Sequence, residues 1–65
     1  MEQFYLPVAM YPSGPSLHTG SHGPRYYASE ESAKKWRSAH NMGHLWRILE
    51  LTIEEGKEPS ARWCD

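Results

Sequence analysis

Apolar and polar residues alternate through the first eleven positions. Phe4, Leu6, Val8 and Met10 fall on one side, and Tyr5, Ala9 and Tyr11 fall on the other. Period-two spacing of β-prone residues predicts a strand over residues 3–11. Pro7 has no N–H to give to a ladder, so this strand is expected at a sheet edge or with a bulge. The alternation then stops. Residues 12–24, PSGPSLHTGSHGP, hold one apolar residue, Leu17, among Pro, Gly, Ser, Thr and His. Their Pro and Gly density argues against a helix or a central strand and predicts a loop, of a length at which loops are functional or mobile. Residues 25–28, RYYA, are long enough for a brief second strand.

The period becomes helical over residues 29–42. Ala33, Trp36, Ala39 and His40 share one face, with Trp36 as its only large anchor, while Lys34, Lys35, Arg37 and Ser38 face water. Ser29 suits the N-cap because its hydroxyl can accept an orphan N–H of the first turn. Glu30 and Glu31 sit against the positive end of the macrodipole, and each has a lysine four residues on, Lys34 and Lys35. Asn41 and Gly43 tolerate the left-handed backbone that ends a helix.

Residues 44–55, HLWRILELTIEE, fit two periods. A strand puts Leu45, Leu49, Leu51 and Ile53 on one face, interrupted by Arg47, and Trp46, Ile48, Glu50, Thr52 and Glu54 on the other. A helix would group Leu45, Ile48, Leu49 and Thr52. The missing N-cap and the alternation at 51–53 favour the strand. Gly56 turns the chain, and residues 57–65, KEPSARWCD, read as a polar C-terminal tail with one large residue, Trp63.

This order predicts an α+β fold in a single domain over residues 1–65: a small three-stranded, mainly antiparallel sheet with one α-helix packed on one face. The helix is expected to bury Trp36 against Leu6, Val8, Leu49, Leu51 and Ile53. Trp46 and Ile48 would then lie on the uncovered face beside Tyr5 and Tyr11. An uncovered aromatic patch is a binding surface or a homodimer seam, unless Leu17 or Trp63 folds over it.

Composition narrows the function. At 38% hydrophobic and 12% aromatic residues, the chain is too polar for a membrane protein and too aromatic for a disordered one. No apolar run approaches the ~18 residues of a membrane span. MEQFYLPVAM lacks the basic start and cleavage site of a signal peptide. The single cysteine, Cys64, allows no internal disulfide, which points to a reducing, intracellular setting. A formal charge of −1 gives no general support to nucleic-acid binding.

No motif fixes a chemistry, and the chain reads as non-enzymatic. His18 and His22 are four apart, as are His40 and His44, a spacing that chelates zinc on a helix. The first pair lies in the Gly/Pro-rich loop, however, and the second straddles Gly43, so no metal site and no cofactor are expected. Cys64 has no fixed oxyanion donors to make it a nucleophile. Glu54 and Glu55 point to opposite sides of a strand. Neither GxxxxGK[ST] nor GxGxxG occurs.

Charge is nonetheless segregated. Residues 25–47 carry Arg25, Lys34, Lys35, Arg37 and Arg47 against Glu30 and Glu31, a net of +3. Residues 48–65 carry Glu50, Glu54, Glu55, Glu58 and Asp65 against Lys57 and Arg62, a net of −3. Two opposed faces of this kind suit docking to an oppositely charged partner.

An aromatic first strand (MEQFYLPVAM), a capped charged helix (YASEESAKKW) and a closing strand (WRILELTIEE) make a layout that resembles small phage and mobile-element proteins, the anti-CRISPR proteins among them. The resemblance is one of size and layout over residues 1–56. It implies a protein-binding inhibitor, active in the cytoplasm of a bacterial host, that holds a CRISPR effector subunit and blocks its target DNA. It further implies a monomer or weak homodimer that touches neither nucleic acid nor membrane. The residues assigned to partner binding are Glu50, Glu54, Glu55, Glu58 and Trp46, with Glu30 and Glu31. Two alternatives use other residues. A nucleic-acid binder would stack bases on Tyr26, Tyr27 or Trp46 and hold phosphates with Lys34, Lys35 and Arg37. A metal-stabilised domain would use the four histidines.

Overall fold

A computed structural model describes residues 1–40 and 43–64. Its elements are β1 (Glu2–Tyr11), β2 (Gly14–Leu17), β3 (Thr19–Gly20), β4 (Gly23–Pro24), α1 (Glu30–Ser38), one 3₁₀ turn at Gly43–Leu45, β5 (Trp46–Ile53) and β6 (Ser60–Trp63). The main sheet runs β2-β1-β5-β6 with every pair antiparallel, and β3 and β4 form a separate small hairpin. The fold is α+β with one α-helix among the described residues, and its main sheet has four strands where three are expected from sequence. Among the described residues no helix is long and apolar enough to cross a membrane.

The additional strands come from the segments read as loop and tail. Neither residue of the Pro12–Ser13 turn takes a positive φ, and Gly14 absorbs the bend at φ +134°. β2 then runs along the sheet edge with Pro15 opposite Met10, a pair whose proline nitrogen faces away from the ladder. In the C-terminal segment, Ser60–Trp63 pairs with β5 as the other edge. Residues 25–28 form no strand; Tyr27 alone bridges Tyr5, with reciprocal N–H···O bonds of 2.9 and 2.8 Å.

Pro7 is not on an edge strand. It lies in central β1, opposite Ile48. Its carbonyl accepts the His18 N–H at 3.2 Å, so its nitrogen also points toward the β2 side. The His18 carbonyl that an N–H there would meet accepts the Arg25 N–H at 2.8 Å instead, so the proline leaves no acceptor unpaired.

The helix begins as its sequence predicts. Ser29 caps it with extended φ −139° and ψ 152°, its hydroxyl accepting the Ser32 N–H at 3.2 Å. Lys34 pairs with Glu30 at 2.7 Å. The helix is shorter than residues 29–42: it ends at Ser38 with Ala39 as C-cap. Asn41 lies outside the described residues.

The larger correction is the face that α1 covers. The register sets Tyr5 opposite Glu50, Pro7 opposite Ile48 and Ala9 opposite Trp46, all on one side of the sheet. The helix packs on that side. Ala33 and Ile48, both at 0% exposure, meet Tyr5 in the core, with Tyr27 and Cys64 against them. The rings of Trp36 and Trp46 meet edge to face at 5.1 Å. Trp46 and Ile48 are therefore buried rather than outward, and Leu6, Val8, Leu49, Leu51 and Ile53 belong to the opposite face. Both faces of this sheet are apolar, so periodicity could not choose between them.

Candidate functional site

The face away from α1 is built from alternate residues of four strands. β1 supplies Phe4, Leu6, Val8 and Met10, and β5 supplies Arg47, Leu49, Leu51 and Ile53. Leu17 stands opposite Val8 and Trp63 opposite Leu49. Leu17, Ile53 and Trp63 are 42%, 41% and 36% exposed, high for large apolar side chains grouped on one surface. The ring of Tyr26 meets Phe4 edge-on at 5.1 Å. Together with Pro24 it borders a groove of about 400 Å³ over Phe4, Leu6, Leu51 and Ile53. Arg47 lays its guanidinium 4.3 Å from the Trp63 ring centre, a cation–π contact at one end of the face.

Beneath the helix lies a polar cluster. Glu50 is 7% exposed. The Tyr5 hydroxyl donates to its Oε2 at 3.1 Å, and Arg62 donates from Nε to Oε1 at 2.9 Å and from Nη2 to Oε2 at 3.1 Å. Glu30, Glu50 and Cys64 each place one potential metal-ligand atom within 4.8 Å of the others. Burial raises the Tyr5 pKa, and its bond to Glu50 adds to this. Burial likewise pushes the Cys64 thiol up, reinforced by Glu30 and Glu50. The bond from Lys34 holds the Glu30 carboxyl below its ordinary range. The hydrogen bond to Glu50 raises the Arg62 pKa further. Lys34 and Arg62 already occupy the carboxylates, and the thiol keeps its proton. These donors fit a self-satisfied polar cluster better than a cation cage.

A third grouping lies at the other end of the helix. His18 contacts Trp36 at 4.9 Å and Trp46 at 5.5 Å, and His40 contacts the same rings at 4.8 and 5.6 Å. Burial lowers the His18 pKa first, with Arg25 and His40 adding positive charge. Among the described residues no acceptor reaches the buried Trp46 Nε1. The i,i+4 pairs of the sequence are split here. His18 meets His40, while His22 sits exposed in the β3–β4 turn and His44 exposed in the 3₁₀ turn.

The residues assigned to partner binding are dispersed. Glu50 and Trp46 are buried under α1 and present nothing to a surface partner. Glu30 is half-buried in its pair with Lys34, and Glu31 is exposed on the helix. Glu54, Glu55 and Glu58 stay together in the β5–β6 turn, Glu54 paired with Lys57 at 3.5 Å. The stacking platform of the nucleic-acid alternative is not assembled. Trp46 is covered, Tyr27 is tied to Tyr5, and Tyr26 lies on the open face away from the helix lysines. Sequence reasoning missed the Glu30–Glu50–Cys64 approach and the Arg47–Trp63 stack. Both depend on β6, whose pairing the polar composition of residues 57–65 did not signal. Compared with known proteins, the chain matches no family model, no curated protein and no solved structure.

Proposed function

We propose that this chain is a non-enzymatic protein-binding module whose docking surface is the apolar sheet face opposite α1. The observation that carries this reading is the grouping of Leu17, Ile53 and Trp63, each more than a third exposed, around the groove-lining Phe4, Leu6 and Leu51. A soluble domain that leaves such a surface open loses hydrophobic stabilisation unless another protein covers it. The test compares wild type with a Leu17→Asp/Ile53→Asp double variant. Both sites are exposed, so the circular dichroism spectrum should not change. Partners retained from a bacterial lysate at moderate salt should be lost by the variant. Equal retention would move the contact off this face.

A narrower reading concerns the partner. The exposed Glu55 and Glu58 cluster with Glu54 in one turn, which supports an inhibitor that offers carboxylates to a nucleic-acid-binding surface of a CRISPR effector. It proceeds without Glu50 and Trp46. Phage plaquing on a CRISPR-immune host tests it: expression of the protein should restore plaques, and Glu54→Lys/Glu55→Lys should abolish that effect. Plaquing that the protein leaves unchanged sinks this partner while the docking face stands.

A further inference from the structure

We propose that the β3–β4 hairpin holds a binding site for a phosphate group, with Arg25 as its charged contact. The inference goes beyond the reading of the open sheet face and does not rest on it.

The sequence leaves this part of the chain without acid. No Asp or Glu occurs from Gln3 to Ser29, while His18, His22 and Arg25 lie inside that stretch. Arg62 is paired with Glu50, but among the described residues no carboxylate or carbonyl pairs with the Arg25 guanidinium. The nearest titratable group on which its charge acts is His18, whose carbonyl accepts the Arg25 N–H at 2.8 Å.

The hairpin gives that charge a concave setting. Gly20 stands opposite Gly23, Ser21 and His22 form the turn between them, and Gly23 takes φ +108°. Residues 20–26 line a concavity of about 470 Å³. That lies within the ~300–1,000 Å³ of small-molecule sites. Arg25 is fixed along its wall. A Cβ at position 20 would stand 2.9 Å from the Arg25 Nε and 3.4 Å from its Nη2, so the guanidinium lies where only a glycine leaves room for it. Held in this way, it presents a planar fork of donors. The Ser21 hydroxyl and the His22 imidazole belong to residues lining the same concavity, and neither has a partner among the described residues.

These groups select the ligand. Three side chains that can donate, one of them a permanent cation, have no acceptor among the described residues, which suits an anion. Three donors match the three free oxygens of a phosphate group better than the two of a carboxylate. An arginine fork also binds phosphate through two parallel bonds. The volume leaves room for the group that carries the phosphate. Tyr26, 60% exposed, lines the concavity as well, and its ring offers a surface on which a base can stack. The phosphate is therefore free or belongs to a nucleotide. Arg25 and His22 are exposed, so water and salt screen the contact, and a dissociation constant on the order of 1 mM is expected.

An NMR titration of the full chain with inorganic phosphate, at constant ionic strength, tests the site. The amide signals of residues 20–26 should shift and saturate. Arg25→Gln should weaken binding about tenfold. Gly20→Ala keeps the charge but sets a methyl group against Nε, and it should weaken binding about threefold. Lys35→Gln, at an exposed position of the helix, should leave it unchanged. Titration with AMP separates the two sources. Binding several times tighter than phosphate, with the gain lost in Tyr26→Ala, supports a nucleotide; equal binding supports free phosphate. Absence of a saturable shift up to about 50 mM phosphate overturns the inference. So does an Arg25→Gln variant that binds as wild type does, or a Lys35→Gln variant weakened as much as Arg25→Gln. Acetate that binds as tightly as phosphate overturns the choice of ligand.

Discussion

Tyr5 and Glu50 face each other across the β1–β5 ladder, 45 residues apart in sequence, and the tyrosine hydroxyl donates to the Glu50 carboxylate at 3.1 Å. Arg62, from the opposite neighbour strand, closes on the same carboxylate through two donors. One buried glutamate thus ties β1, β5 and β6 together. A carboxylate so far removed from water is tolerable only with such partners.

Removing the partners by degrees should expose this tie. Glu50→Gln keeps the size and an oxygen acceptor for Tyr5 but loses the charge that holds Arg62. Glu50→Ala loses both and leaves a hole under the helix. The urea midpoint should fall in the order wild type, Gln, Ala, and the amides of residues 60–63 should exchange faster in both variants. A Glu50→Ala midpoint equal to wild type would show that β6 is held by other contacts.

The fold was legible wherever the signal was local. The Ser29 cap, the Glu30–Lys34 pair and the strand at 46–53 followed from spacing and capping chemistry alone. What was not legible depended on pairing across the chain. Gly14–Leu17 and Ser60–Trp63 are polar because they are edge strands with water on one side, so their composition resembled loop. Pro7 can sit in a central strand because the His18 carbonyl beside it bonds to the Arg25 N–H instead, a pairing no local signal announces. The covered face was misassigned because Leu6 and Leu51 are as apolar as Ile48 and Trp46. Of the residues assigned to partner binding from sequence, Glu54, Glu55 and Glu58 did stay together, being close in sequence. Glu50 and Trp46 did not join them, since strand alternation turned both beneath the helix.

The His18 contact makes stability depend on pH in the neutral range. The folded state lowers the His18 pKa through burial, with Arg25 and His40 adding to the effect. As pH falls, the unfolded chain therefore takes up its proton first, and stability drops. The contribution is whole above about pH 6.5 and is lost as pH descends toward the folded-state value. The urea midpoint should be lower at pH 5.5 than at 7.5. His18→Phe keeps a ring against Trp36 and Trp46 without the titration and should flatten that slope. A wild-type midpoint constant across this range would contradict the assignment.

Two substitutions separate local from tertiary stabilisation of the helix layer. Ser29→Ala removes the acceptor of the Ser32 N–H and should cost about 1 kcal/mol. Ile48→Ala empties a site at 0% exposure beneath Ala33, for which about 2–5 kcal/mol is the usual range. In so small a domain the second loss is comparable with the whole stability. Chemical denaturation should show Ser29→Ala folded with a reduced midpoint and Ile48→Ala largely unfolded at 37 °C. A mild Ile48→Ala effect would mean that the core rearranges to fill the gap.

Cys64 gives the same cluster a chemical readout. Its thiol is raised by burial first and then by the carboxylates of Glu30 and Glu50, with Arg62 and Lys34 opposing. The folded protein therefore holds the Cys64 proton longer than the unfolded chain does. The associated stability is present below about pH 8.5 and is lost as pH rises past it. A thiol that is less ionised and partly covered also reacts slowly. At pH 8 its reaction with Ellman's reagent should be about ten times slower in the native protein than in urea. Glu30→Gln removes one of the charges that disfavour the thiolate and should speed the native reaction. The Lys34 ion pair is lost with it, so the same variant should be compared in urea, where its rate should match wild type. Native and unfolded rates that coincide in the wild-type protein would place Cys64 outside the Glu30–Glu50 cluster and remove β6 from the account of how that carboxylate is buried.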